Sequence, residues 1–205
     1  MMQTFNHMEE TFFEFISKYV SLTGEEKKIL ISLISFRTVK KGSILLKQGR
    51  MSNDSYLVLK GCLRIYHVIN NEEKTTAFYT EFEGLTPNCA ILKVPSEYFI
   101  SCVEDSIITV MNAEIEAKIF TRIPKFETFC RILSEEMLAK QQINLDNFKI
   151  LTPEKRYMDL LQKKPDLIQR VPQKQLASYL GITAQSFSRL KTRMLDKKNP
   201  DKIKI

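Results

Sequence analysis

One segment near the end of the chain, Gln173–Lys191, has residue types that could contact nucleic acid. Its second half presents short polar or cationic side chains, including Gln185 and Arg189, between apolar residues. In the major groove of DNA a glutamine amide can pair with adenine, and an arginine guanidinium can pair with O6 and N7 of guanine. Side chains of this kind recognise a ligand by hydrogen bonding. The segment therefore indicates a binding function, with double-stranded DNA as the partner.

The apolar residues of the segment predict two short helices that meet at a steep angle. These residues are Leu176, Leu180, Ile182, Phe187 and Leu190. Ala177 is small where the helices must approach closely, Gly181 can take the positive φ that ends the first helix, and Thr183 can cap the second. An ordinary helical hairpin would explain the leucines but not these three residues together with an arginine-bearing second helix. The pattern is therefore typical of a helix-turn-helix.

We assign two kinds of DNA contact by residue type. Gln185 and Arg189 are predicted to read bases. The other predicted contacts are to phosphates, which fix the register of a protein on DNA without reading its sequence. They are Lys174, Thr183, Ser186, Lys191 and Arg193.

The positive charge of the chain is concentrated around this segment. Residues 149–205 contain 14 Lys and Arg against 5 Asp and Glu, a net charge of +9. The whole chain has a net charge of +7, so the first 148 residues carry −2. A basic module joined to a near-neutral body favours a polyanion partner at one end. A solvated, lysine-rich terminus would give the same count, so the charge supports the motif without replacing it.

Within the first half of the chain the sequence pattern changes once, from one that favours helices to one that favours strands. Residues 1–33 favour helix, and Thr23 with Glu26 has the form of a capping box. Residues 36–111 consist of short apolar runs broken by turn residues, which predicts an antiparallel β-roll or jelly roll. The turn residues include Gly42, Gly49 and Gly61.

A long helix is predicted next. Pro124 marks a break, and Lys125–Asn147 can then run without interruption. Its apolar stripe, broken by Lys140, consists of Phe126, Phe129, Leu133, Met137 and Ile143. Such a stripe can cover the β-roll or pair with its twin in a dimer, and a helix of this length has faces for both. A further helix is predicted to begin at Thr152 and Pro153.

Other functions have less support. The sequence has no Gly-rich phosphate loop, nucleophile elbow or metal-binding histidine pair, so we expect no enzyme. Its four cysteines form no Cys-x-x-Cys pair and it has two histidines, so we expect neither a metal nor a cofactor. No apolar run is long enough to span a bilayer and the N-terminus lacks the features of a signal peptide, which predicts a cytoplasmic protein without a membrane partner.

The order of helix, β-roll, long helix and helix-turn-helix resembles the Crp/Fnr family of bacterial transcription regulators over nearly the whole chain. The stretches that carry the resemblance are Gly42…Gly49…Asp54-x-Tyr56…Gly61-x-x-Arg64, Cys102–Ser106, Arg156–Tyr157, Val171–Pro172 and Ser188–Arg189. The resemblance implies a homodimer formed along Lys125–Asn147, a small-molecule effector pocket between the β-roll and that helix, and RNA polymerase as a further partner. A two-fold dimer would place its reading helices about 34 Å apart on a near-palindromic DNA site.

The resemblance also shows where this chain departs from relatives that bind cyclic nucleotides. Those proteins carry Gly-Glu and then an arginine that holds the cyclic phosphate, whereas Glu83-Gly84 reverses the first pair and Ser96 lies about where the arginine would be. No arginine occurs between Tyr66 and Thr121. A buried phosphate without a cation is costly, so we expect no tight binding of cyclic AMP. Glu83, Gly84 and Ser96 remain the predicted lining of an effector pocket.

Together these observations predict an α+β protein in three parts. They are a sensor β-roll with flanking helices at 1–111, a dimerisation helix at 112–148, and a helix-turn-helix DNA-binding domain of winged-helix type at 149–205. Residues 199–205 leave room for a short wing or none. The function predicted is that of a sequence-specific, homodimeric transcription regulator. The alternative is a small-ligand-binding β-roll protein whose helix-turn-helix has lost specific DNA binding, which Ala184 at the reading surface leaves open.

Overall fold

The computed structural model of the chain describes residues 2–198, with side chains from Met8 to Met194. Two compact units are present: Met1–Ile65 with Phe78–Gln142 form the first, and Tyr66–Ala77 with Ile143–Ile205 form the second. The predicted short or absent wing falls on 199–205, outside the described residues. None of the described helices is both long and apolar enough to cross a membrane.

Most strands follow one another and most helices follow one another along the chain, as in an antiparallel α+β protein, which confirms the predicted fold class. The strands are β1 Ser35–Val39, β2 Ile44–Leu46, β3 Asp54–Lys60, β4 Leu63–Ile69, β5 Glu72–Tyr79, β6 Gly84–Leu85, β7 Phe99–Cys102 and β8 Ser106–Asn112. The helices are α1 Met2–Ser17, α2 Gly24–Leu33, α3 Asn88–Leu92, α4 Ala113–Arg122, α5 Pro124–Ile150, α6 Pro153–Lys163, α7 Pro165–Arg170, α8 Gln173–Tyr179 and α9 Ala184–Lys198.

Two four-stranded sheets make the β-roll, with strand orders β1-β8-β3-β6 and β2-β7-β4-β5. Strand β8 pairs antiparallel with β1 in the register Ser35↔Val110 and with β3 in the register Tyr56↔Val110. Strands β4 and β5 form a hairpin whose turn residues Asn70 and Asn71 have φ of 52° and 61°. Asparagine tolerates this left-handed conformation, which a two-residue hairpin turn needs. Apart from this hairpin, strands pair with partners distant in sequence, such as β1 with β8 and β2 with β7, as in a jelly roll.

Helices α1, α2, α4 and the start of α5 pack on the first sheet around a core of large apolar side chains. Phe12, Ile16 and Leu30 are at most 1% exposed, and Phe126 and Phe129 of α5 lie in the same cluster. The α5 stripe predicted from the sequence therefore covers the β-roll over its first half. Since Phe126 and Phe129 are buried within one chain, they are not available to a second one.

The capping box at the start of α2 forms as predicted. The amide of Glu26 donates to Thr23 Oγ1 at 3.2 Å, and the amide of Thr23 donates to Glu26 Oε2 at 2.6 Å. Lys125 Nζ lies 2.9 Å from the same carboxylate. This ammonium, together with the amide of Thr23, lowers the pKa of Glu26 below its ordinary value. The cap thus joins the start of α2 to the start of α5.

Some elements differ from the sequence prediction. Helix α1 ends at Ser17 and α2 begins at Gly24, so residues 18–23 of the region predicted as helical are not in a helix. Strand β5 was not predicted, because the charged first half of Glu72–Tyr79 is mostly exposed and hides the alternation of a strand. Helix α6 ends at Lys163 and is followed at once by α7, since Pro165 can begin a helix as well as end one.

Gly61 provides a test of how closely the turn between β3 and β4 packs against Ser106. Its φ is +102°, and a Cβ there would lie 2.7 Å from Cβ of the buried Ser106 and closer still to its hydroxyl. We expect Gly61→Ala to lower the free energy of unfolding by about 2–4 kcal/mol, through backbone strain plus overpacking. The measurement is urea denaturation followed by circular dichroism.

Gly49→Ala is the matched control. Its φ is +78°, but nothing lies within 4 Å of the added Cβ. Strain alone should then cost about 1 kcal/mol. Equal losses in the two variants would contradict the close contact at Gly61.

Candidate DNA-binding surface and effector pocket

Helices α8 and α9 and the turn between them have the predicted helix-turn-helix geometry. Gly181 has φ of +73°, and its amide donates to the carbonyl of Ser178 at 3.0 Å. The amide of Ile182 then reaches back to Ala177 O at 3.0 Å, which closes the end of α8. Ala177 is 1% exposed, so the second helix approaches the first as closely as a small residue allows.

The inner faces of the two helices are held by the apolar residues predicted from the sequence. Leu176, Leu180, Phe187 and Leu190 are buried, while Ile182 is half-buried. Phe187 meets the ring of Tyr157 from α6 edge-on, with ring centroids 5.3 Å apart. Because these contacts fix which face of α9 packs inward, they also fix which residues lie on its outer face.

The start of α9 is capped as predicted. The amide of Ser186 donates to Thr183 Oγ1 at 3.1 Å, and the Thr183 hydroxyl donates to Ser186 Oγ at 3.0 Å. Thr183 thus uses both its acceptor and its donor within the chain. The hydroxyl hydrogen of Ser186 stays available, so of these two predicted phosphate contacts Ser186 is the better donor.

The outer face of α9 gathers most of the predicted DNA contacts. Gln185, Ser186, Arg189 and Arg193 are exposed, at spacings of three and four residues that place them on one side of a helix. An open concavity of about 590 Å³ lies there and is lined by Ser186, Ser188, Arg189, Thr192 and Arg193. Sequence reasoning counted Ser188 and Thr192 among the polar residues of this helix but assigned them no individual DNA contact, although both line the same surface.

The two predicted lysine contacts lie at the margins. Lys174 is exposed in the first turn of α8, and Lys191 is half-buried next to Leu190, toward the inner face of α9. Lysine can extend its ammonium past such a position. The arrangement therefore puts Gln185 and Arg189 at the centre of the surface and the lysines at its edges.

The second unit includes Tyr66–Ala77, the end of the β4–β5 hairpin, and sequence reasoning missed the contact of this segment with α8. Ser178 of α8 accepts a hydrogen bond from the amide of Thr75 at 2.9 Å and donates to the carbonyl of Glu73 at 3.2 Å. Thr75 is 5% exposed. The serine hydroxyl thus pairs with backbone groups of β5 as a neighbouring strand would.

The residues predicted to line an effector pocket bond within their own loops. Glu83 accepts hydrogen bonds from the amide of Thr80 at 2.8 Å and from its hydroxyl at 3.1 Å. Ser96 is 2% exposed, and its hydroxyl donates to the carbonyl of Tyr98 at 2.9 Å. These two side chains stabilise the turns before β6 and β7.

The amide of Gly84 and the ammonium of Lys93 also make hydrogen bonds within the chain. Met137 Sδ of α5 accepts the Gly84 amide at 3.2 Å and lies over the face where a Cβ would be. Lys93 Nζ donates to the carbonyl of Ala90 at 2.6 Å, so its ammonium caps the last turn of α3. The Gly84 amide is therefore occupied by the protein itself, and two donors of the Lys93 ammonium face Asn53 and Ala90.

The thiols offer poor ligands for a metal. Burial raises the pKa of Cys102 to about 11 and that of Cys130 to about 12, so both are protonated at neutral pH. Cys62 and Cys89 are buried, reduced cysteines. Among the described residues, no three His, Cys, Asp or Glu side chains cluster in a way that could hold a metal ion.

Three solved structures resemble this one over most of the chain. A mutant of CooA from Carboxydothermus hydrogenoformans is 19% identical, with a TM-score of 0.64 over 88% of this chain and 82% of that one. FixK2 from Bradyrhizobium japonicum is 15% identical, with a TM-score of 0.63 over 80% and 86%. The c-di-GMP-responsive global regulator CLP from Xanthomonas campestris is 14% identical, with a TM-score of 0.63 over 86% and 93%. The chain has a Crp/Fnr-like fold.

The likeness to these structures lies in the fold, since the identities are low. No protein-family model and no curated protein matches the sequence. The Crp/Fnr-like resemblance identified from sequence is confirmed at the level of the fold. The roles of individual residues stay predictions, because no comparison tests them.

The polar side chains of the predicted effector pocket already make hydrogen bonds within the protein, and this leads to a prediction about cyclic AMP. We expect no binding at micromolar concentration, because a phosphate placed near Gly84 would lose its hydration without gaining a cation. Isothermal titration calorimetry of the protein with cyclic AMP checks this. A complex of micromolar or tighter affinity would contradict it.

Proposed function

We propose that the protein is a sequence-specific DNA-binding transcription regulator that acts as a homodimer. The observation that carries the proposal is the outer face of α9, where Gln185 and Arg189 are exposed on a helix whose inner face is buried. A helix of this kind fits the major groove, and its side chains match base edges and phosphates. The net charge of +9 on residues 149–205 attracts the DNA backbone. The protein then acts by binding rather than by catalysis.

The dimer is proposed to form along α5 through the face that the β-roll leaves uncovered. Leu138 and Leu145 are 70% and 54% exposed and lie seven residues apart, the spacing of a coiled-coil seam. Gln141 lies between them but donates to the hydroxyl of Tyr79 at 2.9 Å. The seam thus differs from the predicted stripe, whose phenylalanines are buried in the first unit.

The β-roll is proposed to act without cyclic AMP. Glu83, Ser96 and Lys93 hydrogen-bond within their own turns, and Met137 covers Gly84. An effector of this protein would differ in chemistry from a cyclic nucleotide. RNA polymerase is the partner through which a bound regulator would change transcription.

The experiment that tests the function is selection of DNA sites from a random pool by the purified protein at defined salt. Recovery of a near-palindromic site bound by a dimer would support the proposal. Salt-sensitive binding without sequence preference would instead favour the alternative, a β-roll protein that has lost specific DNA binding.

Arg189 and Arg193 should have separable effects on the selected site. Arg189→Ala should cost about 1–3 kcal/mol and relax the choice at one base pair, because a bidentate contact to guanine is lost. Arg193→Ala should weaken binding to all sequences alike and lower the salt slope by about 1, because a phosphate contact is lost. Fluorescence anisotropy with specific and random duplexes over a salt series measures both. Equal losses on both duplexes for Arg189→Ala would exclude base reading.

Leu138 and Leu145 test the dimer. Since both are exposed in one chain, Leu138→Glu with Leu145→Glu should leave the fold intact, convert the dimer to a monomer and weaken binding to a two-half-site duplex by about 100-fold or more. Sedimentation velocity and anisotropy are the measurements. Ile143→Glu is the control, because Ile143 is 51% exposed but off the seven-residue spacing. A monomer from the control, or a dimer from the double variant, would reject this seam.

A further inference from the structure

Arg156, in the first turn of α6, lies where three segments of the second unit meet. Its Nη1 donates to the carbonyl of Phe148 at 2.8 Å and to that of Leu151 at 3.0 Å. Its Nη2 donates to the carbonyl of Leu180 at 2.7 Å. The three acceptors belong to the last turn of α5, to the connection between α5 and α6, and to the end of α8.

The carbonyls at the ends of α5 and α8 have no hydrogen-bond donor within their own helix. The last carbonyls of an α-helix have no intrahelical donor, and they carry the partial negative charge of its C-terminal end. A guanidinium meets several of them at once, because its donors form a rigid planar fork. Arg156 thus caps α5 and α8 together and fixes the distance between their ends.

The junction is packed as well as hydrogen-bonded. Arg156 Cζ lies 4.5 Å from the centre of the Phe148 ring, a stacking contact. A Cβ on Gly181 would lie 3.2 Å from Phe148 Cζ and 3.5 Å from Arg156 Nη2. Gly181 therefore serves the turn through its positive φ and the junction through its lack of a side chain.

We propose that Arg156 is a positioning residue that sets the direction of the reading helix α9 from the end of α5. The inference rests on the proposed function, in which α5 carries the two-fold axis and α9 enters the groove. The buried Phe187 and Leu190 make α9 rigid with α8, so the angle at the Arg156 junction fixes where α9 lies. In a dimer that angle determines the half-site spacing the protein accepts.

The contacts argue against a phosphate contact as the role of this arginine. Both of its terminal nitrogens donate to carbonyls of the chain, and Nε is buried without a partner among the described residues. Three of the four terminal N–H groups are thus directed to carbonyls, which leaves one for a phosphate. Loss of Arg156 should thus change geometry, with little effect on the number of ions released on binding.

The test uses the full chain and duplexes of the selected site with half-site spacing altered by one and two base pairs. Wild-type protein should prefer one spacing. Arg156→Lys keeps the charge but cannot span three carbonyls, so it should lower affinity for the preferred spacing by roughly tenfold or more, as expected when charge-assisted hydrogen bonds are lost. Affinity for the other spacings and the salt slope should change little. Uniform loss at all spacings, or an unchanged spacing profile, overturns the proposal.

A second variant and a control keep the result interpretable. Phe148→Leu removes the stacked ring but keeps the carbonyl and all cations, and because Phe148 is half-exposed it should fold. It should flatten the spacing profile in the same direction as Arg156→Lys. Lys155→Ala removes a charge from the adjacent exposed position and should leave the profile unchanged. A flattened profile in Lys155→Ala would also overturn the proposal.

Amide hydrogen exchange separates this inference from the proposed function. Arg156→Lys should speed exchange at Gly181 and Ile182, whereas Lys155→Ala should not, whether or not DNA is present. Failure of the wild-type protein to select any site would reject the function alone. Unchanged exchange in Arg156→Lys would reject the junction.

Discussion

The candidate DNA-binding surface on α9 depends on one backbone constraint, the left-handed turn at Gly181. This residue ends α8, lets α9 start within three residues, and brings α9 against Ala177. Once that crossing is fixed, Phe187 and Leu190 must point inward, and Gln185 and Arg189 must point outward. The polar face is therefore a consequence of the turn and of the apolar spacing together. A side chain at Gly181 would disturb both the turn and the ring of Phe148 beside it.

Local signals in the sequence predicted local structure well. The caps at Thr23, Thr152 and Thr183 each form, because a hydroxyl three residues before an amide needs no information from elsewhere in the chain. The partner of a helix face is different, since it depends on residues distant in sequence. The α5 stripe was consistent with two partners, and the structure shows that Phe126 and Phe129 pack on the β-roll.

The predicted effector site shows the same limit of sequence reasoning. The family resemblance placed Glu83 and Ser96 near a ligand, but a position in a motif does not reveal whether a polar atom is already satisfied. In the structure each bonds to a backbone or hydroxyl group two or three residues away. Likewise, Arg156 is one cation among many in the basic C-terminal quarter of the chain. Its three carbonyl partners come from segments that no sequence spacing connects.

The narrow dimer seam proposed on α5 has a consequence for how the amount of protein would matter in a cell. Two leucines bury little apolar area, so a dimer formed through them would dissociate at low concentration. Below the dissociation constant the dimer concentration rises with the square of the total, and occupancy of a two-half-site DNA follows it. A doubling of expression would then raise occupancy about fourfold. Such a regulator would respond to its own synthesis and turnover, with abundance as the signal.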